Sequence, residues 1–188
     1  MGIPFSLAMV QGNAVIQWAR DEVVDLFLQT NTNRLFWIDS DIVWETKDFI
    51  TMLALSQERD VVCATYPAKL DTSTYYIHRE EQGPLRVDDL GLVEILGVGL
   101  GFTVIRRGVI EDIVSRSPAI HDEISGREIP AIFQPGYRDG KREGEDMQFF
   151  RLLRSSGYRV HLNPLIPLGH IGQKIYRGDL TSAVEIQQ

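Results

Sequence analysis

A chain of 188 residues that is 44% hydrophobic holds enough apolar material for one domain around a sizeable core. Its 26 acidic residues against 19 basic ones, a formal charge of -7, argue against a nucleic-acid backbone as partner, which selects a basic footprint. A nucleotide or nucleotide sugar stays open, because a divalent cation bridges two negative partners.

The single cysteine, Cys63, excludes an internal disulfide and a thiolate metal cluster. Within VVCATY it reads as a small buried apolar residue, and it fits a reducing, cytoplasmic compartment. The longest apolar stretch, Ile95 to Ile105, is shorter than the roughly 20 residues a membrane helix needs and holds glycines at 97, 99 and 101. No basic segment followed by an apolar one marks a leader of the signal-peptide type.

In chain order, residues 1–12 are short and apolar around Pro4 and Gly12 and read as a brief strand and turn. From Asn13 to Thr30, Val15, Trp18, Ala19, Val23, Leu26 and Phe27 recur at spacings of three and four, which predicts a helix with one buried face. Arg20 and Asp21 fall near its middle, where charged residues are ordinarily solvated; an arginine there reaches a phosphate if this face borders a cleft. Leu35 to Ile38 begins a strand that empties into Asp39-Ser40-Asp41 before apolar residues resume at Ile42. Such a strand leaves an α/β sheet at its carboxyl edge, outside which open sheets bind ligands. Two readings of the paired aspartates stand side by side. Asp and Ser are common turn formers; with Ser40 in the turn, both carboxylates can also approach one divalent cation or the phosphates bound to it.

Lys47 to Gln57 predicts a second helix, and Val61 to Tyr66 a strongly β-prone strand ended by Pro67. A right-handed crossover places this strand beside or near 35–38. Lys69 follows in the loop at its end, solvated or in contact with a phosphate or sugar. Short β-like runs at 74–78 and 85–87, separated by Glu80-Glu81-Gln82-Gly83-Pro84, predict a hairpin or edge ribbon, with His78 structural or exposed. The glycines of 97–101 lack the final spacing of a dinucleotide fingerprint and run into the β-like FTVI rather than a helix. They read as a place of close backbone approach, to another strand or to a ligand. Gly108 to Ser115 is a short helix, and 117–144, punctuated by Pro and Gly, is a long loop in which His121, Asp122 and Glu123 are solvated.

Glu145 and Asp146 open a further helix. The helix dipole favours acidic residues there without any chemistry, and the same place holds a catalytic carboxylate rigidly at a cleft. Tyr158 to Leu162 is strand-like, with His161 structural. His170, flanked by glycines at 169 and 172, lies in a segment with no helix pattern; an imidazole there can complete an oxygen-rich site begun by Asp39 and Asp41.

Taken together, LFWIDSDIVW (35–44), VVCATYPAK (61–69), GVGLGFTVIRR (97–107), GEDMQFFRLLRSSGYRV (144–160) and LGHIG (168–172) resemble, in order, the GT-A type nucleotide-sugar glycosyltransferases, especially their small bacterial, phage and large-virus members. The resemblance implies an α/β fold with a mixed, mostly parallel sheet, flanking helices and a small edge ribbon, in one catalytic domain over 1–188. It implies a Mn²⁺- or Mg²⁺-dependent donor site for a nucleotide-diphosphate sugar. Asp39 and Asp41 stand at the family's D-x-D, Asp41 as the more direct metal ligand and Asp39 on the metal shell or the donor ribose or sugar. His170 matches the late histidine that completes the metal site. Glu145 and Asp146 match the acidic pair beneath the acceptor pocket, with Asp146 as the general base of an inverting reaction. Gly97, Gly99 and Gly101 would line the sugar pocket, and Lys69 and Arg20 would meet donor phosphates or sugar. Only 34 residues precede Leu35, so the family's first β-α unit is expected to be absent and the nucleotide cradle incomplete or supplied by a partner chain. The implied activity is sugar transfer to a hydroxyl of a carbohydrate or glycoconjugate acceptor. The alternatives are a weak or inactive glycosyltransferase-like binding module, or another metal-dependent phosphate-processing enzyme.

Overall fold

The computed structural model describes residues 2–80, 82–123 and 125–186; Glu81 of the expected 80–84 turn lies outside them. The chain runs α1 (Ile16–Leu28), β1 (Arg34–Ile38), β2 (Ile42–Val43), α2 (Thr46–Leu55), β3 (Val61–Ala64), β4 (Leu85–Val87), β5 (Val93–Ile95) and β6 (Phe102–Arg106). It continues with α3 (Arg107–Ser115), β7 (Ala119–Asp122), β8 (Arg127–Pro130), β9 (Gly136–Arg138), β10 (Lys141–Glu143) and α4 (Glu145–Ser155). The last strands are β11 (Val160–Asn163), β12 (Gly169–Ile171), β13 (Ile175–Tyr176) and β14 (Val184–Ile186).

Five strands form the central sheet in the order β1-β6-β3-β11-β5. It is mixed, as expected, but not mostly parallel: β3 and β11 pair parallel, whereas β1–β6, β6–β3 and β11–β5 pair antiparallel. The reason is the path of β6, which drops between β1 and β3 with Phe102 opposite Ile38 and Cys63 opposite Thr103. The two αβ strands therefore share a direction without touching, near each other rather than adjacent.

Side-chain alternation divides the core between the two faces of this sheet. Leu35, Trp37, Val61, Cys63 and Ile105 point into a large cluster with Val24 and Phe27 of α1, Ile110 and Ile113 of α3, and Phe149, Phe150 and Leu153 of α4. Phe36, Ile38, Val62, Ala64 and Val104 point the other way, toward Met52 of α2 and Leu168. Burial pushes the Cys63 thiol up to about 12, consistent with a small core residue.

Three local expectations fail for lack of local partners. Residues 2–15 contain no regular secondary structure. No hairpin joins 74–78 to 85–87; β4 pairs parallel with β14, nearly a hundred positions along the chain, and exposed His78 makes an isolated bridge with Gly97. The expected loop over 117–144 is built of two antiparallel ribbons, β7–β8 and β9–β10, which its glycines permit by turning tightly. Asp139 and Gly140, both at positive φ (50° and 74°), close the second ribbon.

Candidate functional site

The topology gathers the singled-out residues at one edge of the sheet. β1 and β3 run the same way, so Asp39 and the 65–69 loop leave at a common carboxyl edge, where β6 begins and the 97–101 segment arrives. α1 and α4 run back toward the starts of β1 and β11, which puts their N-terminal halves, with Arg20 on α1 and Glu145 and Asp146 on α4, toward that same edge.

Ser40 and Asp41 form a turn, closed by the Ile42 N–H on the Asp39 carbonyl at 3.1 Å. The aspartates consequently part company. Asp41 faces a three-stranded sheet of order β13-β12-β2, in which His170 lies opposite Ile42. His170 Nε2 stands 3.2 Å from Asp41 Oδ2, and its Nδ1 is 3.0 Å from the Pro67 carbonyl. Lys69 donates to the same Oδ2 at 2.7 Å, its stem crossing Gly172, where a side chain would collide with it. Partial burial pushes the Asp41 carboxyl up, but the Lys69 ammonium and His170 together outweigh it and hold the group below its usual value.

Asp39 has a different set of partners. Trp37, two residues back on the same face of β1, donates its indole N–H to Asp39 Oδ1 at 3.0 Å. Arg20 approaches Asp39 Oδ2 at 3.5 Å, Glu145 Oε1 at 3.1 Å, and ion-pairs with Asp146. Arg20 is only 4% exposed, and its guanidinium also lies over the neighbouring rings of Trp37 and Phe133, 5.8 Å from each centroid. The expectation that Arg20 and Asp21 are solvated is therefore wrong. Arg20 is the buried counter-ion of three carboxylates. Asp21 is fully buried because it accepts the backbone N–H groups of Ile132 and Phe133 at 2.8 and 3.0 Å. Burial raises the Asp21 carboxyl to about 6 against the pull of those two bonds.

The glycines at 97–101 answer to neighbours inside the chain. A side chain at Gly97 would strike Met147 of α4, one at Gly99 the Tyr66 hydroxyl, and one at Gly101 both Tyr66 and Asp39 Oδ2 at 2.9 Å. The backbone binds at the far end of this segment: Asp39 donates its N–H to the Gly101 carbonyl at 2.9 Å, and the Leu100 N–H donates to Asp146 Oδ2 at 3.3 Å. Tyr66, edge-on to His170 at 4.8 Å, thus links the glycines to the Asp41–His170 pair. Burial, and then the charge of Asp39, push its hydroxyl up to about 12.

Of the expected site residues, the structure joins Asp41, His170 and Lys69 in one group and Arg20, Asp39, Glu145 and Asp146 in another. It does not bring Asp39 onto Asp41 and His170. Among the described residues, no group of three or more His, Cys, Asp or Glu is arranged to hold a metal ion, and no helix is long and apolar enough to cross a membrane. Trp37, Tyr66 and Asp21 were not anticipated. Trp37 was legible from the period of a strand, which puts positions 37 and 39 on one face; Tyr66 and Asp21 carried no local signal. A cavity of about 660 Å³ lies at the opposite edge, lined by Arg59, Asp88, Glu94, Arg159 and His161. There His161 is buried on β11, and that burial, then the nearby Arg59, lowers its proton affinity below the ordinary imidazole value.

No protein-family model matches the chain, and no curated protein does. Among solved structures it is similar to the one titled "Crystal Structure of A197 from STIV", with a TM-score of 0.57 and 24% sequence identity, over 85% of this chain and 69% of that one. At this identity the likeness shows the fold alone. That fold is an α/β architecture, a mixed sheet flanked by helices with several small separate sheets around it.

Proposed function

We propose that this chain is a glycosyltransferase-like module that binds the diphosphate end of a nucleotide sugar through a divalent cation at Asp41 and His170, and that transfers sugar weakly or not at all by itself. The observation that carries the binding half is the setting of His170. A carbonyl oxygen only accepts, so the nitrogen facing Pro67 is the protonated one, and Nε2 turns a lone pair toward a carboxylate oxygen 3.2 Å away. Two electron-rich atoms in that arrangement favour a cation beside them, a place for which the Lys69 ammonium, 2.7 Å from the same Asp41 oxygen, competes. One carboxylate and one imidazole suit Mn²⁺ better than Mg²⁺, with the remaining positions left to water and phosphate oxygens. When bound, such a cation would neutralise the charge on the diphosphate leaving oxygen.

Transfer asks in addition for a carboxylate able to take the acceptor proton. Asp146 and Glu145 are both ion-paired with the buried Arg20, and Asp146 also accepts from Leu100, which favours the binding module over a self-sufficient enzyme. Metal-dependent sugar transfer is the second reading, favoured by the position of that acidic pair at the same sheet edge as Asp41.

The test is calorimetry with Mn²⁺ and a panel of nucleoside diphosphates and nucleotide sugars, alongside an assay for sugar transfer and for free phosphate. At least one diphosphate is expected to bind only with Mn²⁺, at least about tenfold more weakly in Asp41→Asn and His170→Ala, by the usual weight of a metal-ligand change. Binding indifferent to Mn²⁺ or to both substitutions sinks the proposal. Sugar transfer abolished by Asp146→Asn promotes the second reading. Release of phosphate with no sugar transferred to any acceptor points to a phosphate-processing enzyme.

A further inference from the structure

The β9–β10 ribbon sets two cations opposite each other, of which only Arg138 has an acidic partner, Asp139, among the described residues. Lys141 stands directly opposite Arg138, and Arg142 directly opposite Tyr137. Like charges opposite each other in an antiparallel pair are destabilising, with Cβ atoms only about 5 Å apart. All four side chains are exposed. Among the described residues, Arg138 has only its neighbour Asp139 at 3.5 Å, and neither Lys141 nor Arg142 is paired with a carboxylate. In a protein of net charge -7, Lys141 and Arg142 are thus two exposed cations outside any ion pair among the described residues, beside a third, Arg138.

The ribbon is held in place, and the holding contacts say which way the pair faces. The Cβ position at Gly136 lies against the amide end of the Gln148 side chain, and Glu143 accepts from Arg151 at 3.2 Å. Both partners lie on α4. Side chains alternate across a strand, so Arg138 and Lys141 share the α4-facing side with Gly136 and Glu143. Gln148 is one helical turn beyond Glu145, so this side of the ribbon borders the first turn of α4, where carboxylate and amide oxygens can accept from hydroxyls.

We propose that the β9–β10 ribbon binds a phosphorylated sugar, its phosphate between Arg138 and Lys141 and its hydroxyls toward Gln148 and Glu145 at the start of α4. The guanidinium fork matches phosphate oxygens in pairs, and the ammonium adds a compact charge opposite it. A seated dianion replaces the cross-strand repulsion by two attractions. A polymeric phosphate such as DNA, or an anionic membrane, meets the opposing charge of the whole protein and of Glu143 and Glu145, which favours a small ligand. This site needs neither the cation nor the diphosphate of the donor reading, so the two stand or fall separately.

Metal-free protein in chelator, at low ionic strength, is titrated with glucose 6-phosphate, mannose 6-phosphate, glucose 1-phosphate, inorganic phosphate and glucose. At least one sugar phosphate is expected to bind more tightly than both inorganic phosphate and glucose. In the double variant Arg138→Gln/Lys141→Gln that affinity should fall at least tenfold, as expected for charge-assisted contacts to phosphate (on the order of a tenfold loss). The double variant is also expected to melt at or above the wild-type temperature, because the repulsion is gone. Equal binding by wild type and variant, no preference for any sugar phosphate, or a lower melting temperature overturns the proposal. So does tighter binding of a DNA oligonucleotide or of phosphatidylserine vesicles than of every sugar phosphate.

Discussion

Replacing Asp21 by Asn isolates one buried charge that the fold tolerates at a cost. The native carboxyl titrates at about 6, against 3.8 without the protein around it. A raised native value means that the native state holds the proton where the unfolded chain has released it. Stability from this group is therefore full below about pH 4 and declines as pH rises to about 6. The gap of roughly two pKa units corresponds to about 3 kcal/mol lost between the two limits. Asn keeps an oxygen for the N–H groups of Ile132 and Phe133 and does not ionise. The stability of Asp21→Asn relative to wild type should hence improve by up to about 3 kcal/mol from pH 4 to pH 7, or about 6–12 °C in Tm for a chain of this size. Paired urea unfolding curves at half-unit steps of pH measure the difference, cancelling the titration of groups common to both proteins. A difference that stays flat from pH 4 to 7 would refute the reasoning. The effect reaches the candidate site, because Asp21 anchors Phe133 and Phe133 packs on Trp37 at 5.5 Å, the donor to Asp39.

Two further outcomes test how the site is assembled. Lys69→Met removes the ammonium that competes for Asp41 Oδ2 while keeping an unbranched stem beside Gly172; Mn²⁺ alone should bind up to about fivefold more tightly by calorimetry, the equivalent of about 1 kcal/mol for a half-exposed ion pair. Weaker Mn²⁺ binding in that variant would make Lys69 a supporting group rather than a competitor. Gly99→Ala drives a methyl into the Tyr66 hydroxyl and should cost about 1–3 kcal/mol in thermal or urea unfolding, with stability partly restored in Gly99→Ala/Tyr66→Phe. An unchanged melting temperature for Gly99→Ala would mean that the close approach is not what keeps that position small.

Local pattern was enough for the elements whose reasons are local. Spacings of three and four in Val23, Leu26 and Phe27 yielded α1, the apolar run at 35–38 yielded β1, and Asp-Ser-Asp yielded the turn that ends it. Glu145 and Asp146 do open a helix, and the glycines of 97–101 do mark close backbone approach, though to Tyr66 and Met147 of this chain. The meeting of His170 with Asp41, 129 positions apart and anticipated through resemblance, depends on strand pairing between β12 and β2.

What periodicity fixes is which side of an element is apolar; it carries nothing about which elements meet. The insertion of β6 between β1 and β3, the pairing of β4 with β14, and the burial of Arg20 and Asp21 all rest on distant partners. Arg20 reads as a solvated charge until Glu145, 125 positions away, is beside it. Asp21 reads the same way until the Ile132 N–H, 111 positions away, points at its oxygen. The residue types able to hold a cation or a proton were thus set by the sequence alone. Which counter-ion each carboxylate received was decided by the tertiary structure, because electrostatic interaction depends on separation in space and on burial, not on separation along the chain.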